Sequence, residues 1–128
     1  MKKSIFLFIG IIGLVSFTGA QTWQAPQRLT WDSEHSCAPV LAVGTGNDLY
    51  ITWTSKFSEG EIYYKKSTDN GASWGPINRL TWSPNNSVAC RLVSQANNRL
   101  HLVWEERLSD DYEIFYKRSN LFVLLPIQ

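Results

Sequence analysis

The sequence predicts an all-β fold made of a repeated four-stranded antiparallel unit, and three observations predict it. A block of residues returns at a fixed offset of about fifty. The segments inside each copy alternate apolar and polar residues with a period of two. Beyond the first twenty residues, no segment carries a helical period. The repeat is explicit: Arg28-Leu29-Thr30-Trp31 returns as Arg79-Leu80-Thr81-Trp82, an offset of 51 (28 to 79). The same offset pairs Ser36 with Ser87, Ala38 with Ala89, Leu41 with Leu92, Leu49 with Leu100 and Trp53 with Trp104. One residue is then gained. Glu61-Ile62-Tyr63-Tyr64-Lys65-Lys66-Ser67 matches Glu113-Ile114-Phe115-Tyr116-Lys117-Arg118-Ser119 at an offset of 52 (61 to 113), with five of seven positions identical.

Each element has its own signature. Gln27–Trp31 reads as a strand ahead of the first unit, and Ile77–Trp82 as the fourth strand of that unit. Pro39-Val40-Leu41-Ala42-Val43 is more continuously apolar, the pattern of a strand covered on both faces, and its counterpart lies near Arg91-Leu92-Val93. Gly44-Thr45-Gly46-Asn47-Asp48 and Gln95-Ala96-Asn97-Asn98 are turn clusters. Leu49, Ile51 and Trp53 alternate with Tyr50, Thr52 and Thr54, and Leu100, Leu102 and Trp104 repeat the pattern. Glu61–Ser67 and Glu113–Ser119 alternate likewise and are rich in β-favouring Ile, Tyr and Phe. A sheet of this kind leaves both faces apolar and becomes stable only between neighbours. A four-stranded antiparallel unit returning about every fifty residues is the mark of a β-propeller blade. A single eight-stranded sandwich is the alternative.

Composition narrows the class. The chain of 128 residues fits one modest domain, and 44% hydrophobic with 18% charged residues belongs to a globular protein. Twelve basic residues face eleven acidic ones, and without Lys2 and Lys3 the count is ten against eleven, about −1. That balance excludes a strongly basic nucleic-acid binder. Lys2-Lys3, an apolar run from Ile5 to Phe17 and Thr18-Gly19-Ala20 have the layout of a secretory signal peptide over residues 1–20. The run of about 13 residues spans roughly 20 Å as a helix, short of a bilayer's ~30 Å core. The expectation is export to the periplasm, cell surface or medium, with no membrane span after cleavage. Residues 21–128 then hold two repeats, about 23–82 and 83–120, and a divergent apolar tail at 121–128.

Between the third and fourth strands of the first unit lies Ser67-Thr68-Asp69-Asn70-Gly71-Ala72-Ser73-Trp74, which fits Ser-x-Asp-x-Gly-x-x-Trp. Asp69 can accept backbone N–H bonds inside a tight turn. Gly71 supplies a positive φ without steric cost, and Trp74 is expected to fold back and bury a large ring. This motif is the Asp box of bacterial neuraminidase repeats, and residues 23 to 119 resemble about two blades of the sialidase-like, Asp-box β-propeller family, with an incomplete ring. The resemblance implies an exported, glycan-acting protein whose full propeller has about six or more blades. It also implies that Ser67, Asp69, Gly71 and Trp74 are fold residues on the outside of the propeller, remote from catalysis.

The departures from the family decide what can be expected of chemistry. Sialidases of this kind hold a substrate carboxylate with an arginine triad and use a Tyr–Glu pair with an Asp acid/base. This chain has no Phe-Arg-Ile-Pro-type segment, and the later arginines and nucleophilic Tyr would lie in blades outside residues 23–119. Arg91 could face a central channel, but its counterpart is Val40, which favours a surface arginine. Glu105 and Glu106 could form an acid pair for hydrolysis. Their counterparts are Thr54 and Ser55, which favours a solvated cluster with Arg107. No catalytic set is recognised, and the chain alone is expected to be inactive.

After Ser119-Asn120 the repeat calls for another Asp box and fourth strand, yet Leu121-Phe122-Val123-Leu124-Leu125-Pro126-Ile127-Gln128 follows. Three readings stay open. The chain is a truncated or frame-shifted piece of a larger propeller, or several copies assemble with each Trp23–Trp31 strand completing a neighbour's second unit, or the tail folds back as a makeshift strand. Cys37 and Cys90, an even pair in an exported chain, are candidates for a disulfide or for two thiols. His35 and His101 are isolated, so no zinc-type spacing exists, and the acidic links Ser58–Glu61 and Ser109–Asp111 lack a calcium-loop pattern. No metal or cofactor is expected. Asn85-Asn86-Ser87 has the glycosylation-acceptor spacing. Two functions follow: part of a secreted exo-glycosidase of the sialidase kind, or a non-catalytic module binding glycans or proteins. The expected partners are a glycan ligand and either the remaining blades or other copies of the chain.

Overall fold

The computed structural model describes Gly19, residues 21–31, Ser33, residues 35–56 and residues 59–120. The expected signal segment, Gly19 apart, and the tail 121–128 lie outside the described residues. Seven strands run in chain order: β1 (His35–Val43), β2 (Leu49–Lys56), β3 (Gly60–Ser67), β4 (Asn78–Arg79), β5 (Ser87–Ser94), β6 (Leu100–Leu108) and β7 (Asp111–Arg118). They form two antiparallel sheets, ordered β1-β2-β3-β4 and β5-β6-β7, with no helix among the described residues.

The repeat is visible in backbone detail. The turn after β1 closes with the Gly44 N–H donating to the Asp48 carbonyl (2.9 Å), and the turn after β5 with the Gln95 N–H donating to Arg99 (2.8 Å). Each turn holds one left-handed residue, one place apart in the repeat: Gly46 in the first and Asn98, the counterpart of Asn47, in the second, both types that tolerate it. Each first strand also carries a bulge at the same place. The register shifts between Cys37 and Val40 and between Val88 and Arg91, and Ala38 and Ala89 sit there at φ 52° and 51°. A positive φ at alanine is strained, and its recurrence shows one backbone design used twice.

The sheets pack face to face. Val40, Ala42, Tyr50, Ile62 and Tyr64 of the first meet Cys90, Leu92, Leu100, Leu102 and Trp104 of the second. At the centre the Cys90 thiol donates to the Thr52 hydroxyl at 3.5 Å. Because side chains alternate along each strand, the residues left over face away from this core. In the first sheet that outward face carries Leu41 and Ile51, which are register partners. Their repeat counterparts, Leu92 and Leu102, are buried in the second sheet. The two sheets therefore present opposite faces of the same design: Leu41 is 57% exposed and Leu92 7%, while Ile62 is 0% exposed and its counterpart Ile114 71%.

One expected strand comes out shorter and another does not form. Of Ile77–Trp82 only Asn78–Arg79 joins the ladder, and residues 21–31 form no strand. The reason lies at Thr81. The Leu80 N–H donates to the Ile62 carbonyl (2.8 Å), but the Ile62 N–H donates to the Thr81 hydroxyl (2.9 Å), so a side chain replaces the next ladder carbonyl. The tryptophans also divide. Trp53 and Trp104 are buried, whereas Trp31 and Trp82, equally in register, are 65% and 67% exposed.

Candidate functional site

Three constellations gather the polar side chains. The first is the turn after β3. The Ser67 hydroxyl donates to Asp69 Oδ1 (2.7 Å) and accepts the Gly71 N–H (2.9 Å). Asp69 accepts the Ser73 N–H (2.9 Å) and the Ser73 hydroxyl (2.5 Å). Gly71 stands at φ 85°, and a Cβ there would lie 3.3 Å from Leu49 and 3.9 Å from the Trp74 ring. Trp74 is half-buried, so its ring is less enclosed than the motif suggested. The hydrogen bonds from the Ser73 side chain and backbone, then from Ser67, hold the Asp69 carboxyl down at about 2. These bonds favour the charged form of an otherwise exposed acid.

The second constellation is a hook on the outer edge of β3. Glu61, buried in the first sheet, takes Arg79 Nη2 on Oε1 at 2.5 Å and the Thr81 hydroxyl on Oε2. Charge-assisted bonds of this kind are the strong ones, and here they pin the segment following β4 against β3. The third is a clasp made twice. Lys65 Nζ donates to the Leu29 carbonyl (2.8 Å) and stands 5.1 Å from the Trp31 ring centre. Lys117 Nζ donates to the Leu80 carbonyl (2.8 Å) and stands 5.3 Å from the Trp82 ring centre. Arg79–Trp82 thus grips β3 through Glu61 and the second sheet through Lys117. The ammonium–ring contacts explain why Trp31 and Trp82 recur in register while exposed.

The remaining candidates are spoken for by structure. Glu106 is buried and accepts from Ser83, Asn85 and the Trp104 indole N–H, with the last at 3.3 Å. Glu105 is half-buried on the opposite face, so the two adjacent acids do not converge. Arg91 is exposed and donates to the Cys90 carbonyl at 2.9 Å, in a shallow hollow shared with Val103, Glu105 and Ile114. Cys37 and Cys90 are both free thiols, half-buried and buried respectively, and burial pushes the Cys90 thiol up from its ordinary range. His101 stacks on Tyr116 and shares a 2.9 Å hydrogen bond with its hydroxyl.

Asp48 ties the two units together at one end. It pairs with Lys66 at 2.7 Å and accepts from Tyr50 and from Asn98 of the second unit, each at 3.0 Å. The bond from Lys66 keeps its carboxyl low despite partial burial. Among the described residues no cluster of three His, Cys, Asp or Glu could hold a metal ion, and no helix is long and apolar enough to cross a membrane.

Sequence reasoning aligned Glu61 with Glu113 and Arg28 with Arg79 but missed that the two types pair. The signal was present: an acid and a base each recurring, on segments read as neighbouring strands. No protein-family model, curated protein or solved structure matches the chain.

Proposed function

We propose that this chain supplies two adjoining blades of an exported, sialidase-like Asp-box propeller, and that it contributes framework to a glycan-acting protein rather than the reacting groups. The observation that supports this reading most is the duplicated Lys–Trp clasp together with the duplicated Ala38/Ala89 bulge. Stacking by a constant step is what radial blades require. The Ser67–Trp74 turn, with its self-contained hydrogen bonds, supports an Asp box in a structural role. The buried acids Glu61 and Glu106 hold loops, which leaves neither free for proton transfer.

The experiment is a fluorogenic sialoside assay on the purified full chain. No turnover above the blank is expected, and turnover lost on Glu105→Gln would overturn the framework reading. A second reading, a non-catalytic glycan binder, is favoured by one observation: Trp31 and Trp82 keep most of their surface in solvent, and aromatic faces stack on sugar rings. Binding on a glycan array that is lost with Trp82→Ala would select it.

A further inference from the structure

The molecule buries one sheet-on-sheet interface and, among the described residues, leaves both halves of a second interface of the same design without a facing sheet. We infer that the occupant of each exposed half is a second copy of this chain, joined head to tail. The inference rests on the blade reading and names the partner that reading leaves open.

The buried interface is the template. One side is the face of the first sheet carrying Ala42, Tyr50, Thr52 and Ile62, and the other is the face of the second sheet carrying Cys90, Leu92, Leu102 and Trp104. The repeat offset puts Val93, His101, Val103 and Ile114 where the first set stands, and Pro39, Leu41, Ile51 and Trp53 where the second set stands. Those are the two outward faces. Val93 and Ile114 are 64% and 71% exposed on one; on the other Leu41 is 57% exposed, while Trp53 is buried in a hollow shared with Leu29 and Thr30. Where Thr52 meets Cys90 inside the chain, Val103 of one copy would meet Pro39 of the next, an apolar pair. Arg91 and Glu105 interrupt the face of the second sheet, and the apolar residues around them, with those of the first sheet, mark an interaction surface. A heterologous contact between complementary faces generates a ring when the rotation closes.

The edge of β7 sharpens the match. On β3, the Glu61 carboxylate and the Ile62 amide and carbonyl are all taken by Arg79, Leu80 and Thr81. On β7 the same groups belong to Glu113 and Ile114, which are exposed, and among the described residues Glu113 has no ion pair. The residues that would answer them exist elsewhere in the chain as Arg28-Leu29-Thr30. That segment already grips the first sheet through Lys65, and Arg28 is exposed and among the described residues makes no ion pair. Residues 121–128 contain no Arg, Thr or Trp and cannot reproduce the hook. Seated on β7 of a neighbour, Arg28 meets Glu113, the Leu29 N–H meets the Ile114 carbonyl, and the Thr30 hydroxyl accepts the Ile114 N–H.

The test is native mass spectrometry and light scattering of the exported full chain, alongside Glu113→Arg, Arg28→Glu and the double swap. A closed oligomer is expected for the parent, loss to monomer for each single variant, and recovery of the oligomer in the double swap. Circular dichroism checks that each variant is folded. A monomeric parent at 100-fold the working concentration overturns the inference. So does an oligomer indifferent to both single variants. A monomer whose Ile114 amide resists hydrogen exchange also overturns it, because the chain's own tail then covers β7. Protection of the Ile62 amide in any of these cases shows that the blade reading stands independently of assembly.

Discussion

Ile62 and Ile114 occupy the same position of the repeat, yet one is wholly enclosed and the other largely in solvent. Truncating each to alanine isolates what sheet packing contributes. Ile62→Ala removes three carbons from a fully buried site, worth about 2.4 kcal/mol at ~0.8 kcal/mol per buried carbon. The cavity left against Cys90, Leu92 and Trp104 adds about 1 kcal/mol, for a total of about 3–4 kcal/mol. Ile114→Ala removes the same atoms from the surface and should fall within about 0.5 kcal/mol. Urea unfolding in dilute solution, where copies do not associate, reads the difference as a midpoint shift. With a slope of ~1–3 kcal/mol/M, Ile62→Ala moves the midpoint by more than about 1 M and Ile114→Ala barely moves it. Equal shifts for the two variants would refute the face assignment.

Three further expectations follow from the site. The Asp69 carboxyl titrates at about 2 in the folded chain, below its unfolded value. Its contribution to stability is therefore complete above pH ~4 and lost as pH falls toward 2, so Asp69→Asn should flatten that part of a melting-temperature profile, and an unchanged profile would count against the turn's hydrogen bonding. Trp74→Ala should cost about 2 kcal/mol, less than the ~3–5 of a fully buried aromatic, because the ring is half-buried; a loss above that range in thermal unfolding would mean the ring is better enclosed than described. Alkylation with iodoacetamide at pH 8 should label Cys37 well before Cys90, whose thiol is buried and pushed up; equal rates in peptide mapping would contradict the core placement of Cys90.

Much of the fold was legible because side-chain alternation and a fixed offset are local signals. Leu49, Ile51 and Trp53 announce β2, and the same pattern fifty-one residues on announces β6. Which face of each strand meets the other sheet was not legible: alternation marks Leu49, Ile51 and Trp53 as the apolar face of β2, yet Tyr50 and Thr52 on the other face lie against the second sheet, and Leu41 and Leu92 read alike while one lies outside and the other within the core. The bulge at Ala38 and Ala89 left no mark in residue type, since alanine gives no warning of a positive φ. The exposure of Trp31 and Trp82 was not legible for a related reason. Recurrence shows that a residue has a constant neighbour, and here that neighbour is a lysine ammonium and not a hydrophobic core. Glu61 could have been paired with Arg79, which lies in β4, from charge recurrence on two segments read as neighbouring strands.

The central claim is that the two units stack face to face, with Thr52 of the first against Cys90 of the second at 3.5 Å. Thr52→Cys in a Cys37→Ser background tests it most directly, because only a modest side-chain shift brings the two sulfurs to bonding distance of about 2 Å. Mild oxidation of the folded chain should give one intramolecular disulfide between the new thiol and Cys90, mapped by peptide mass spectrometry, with a melting temperature raised over the reduced form. Two thiols that stay free under the same oxidation, in a chain shown to be folded, would contradict the stacking.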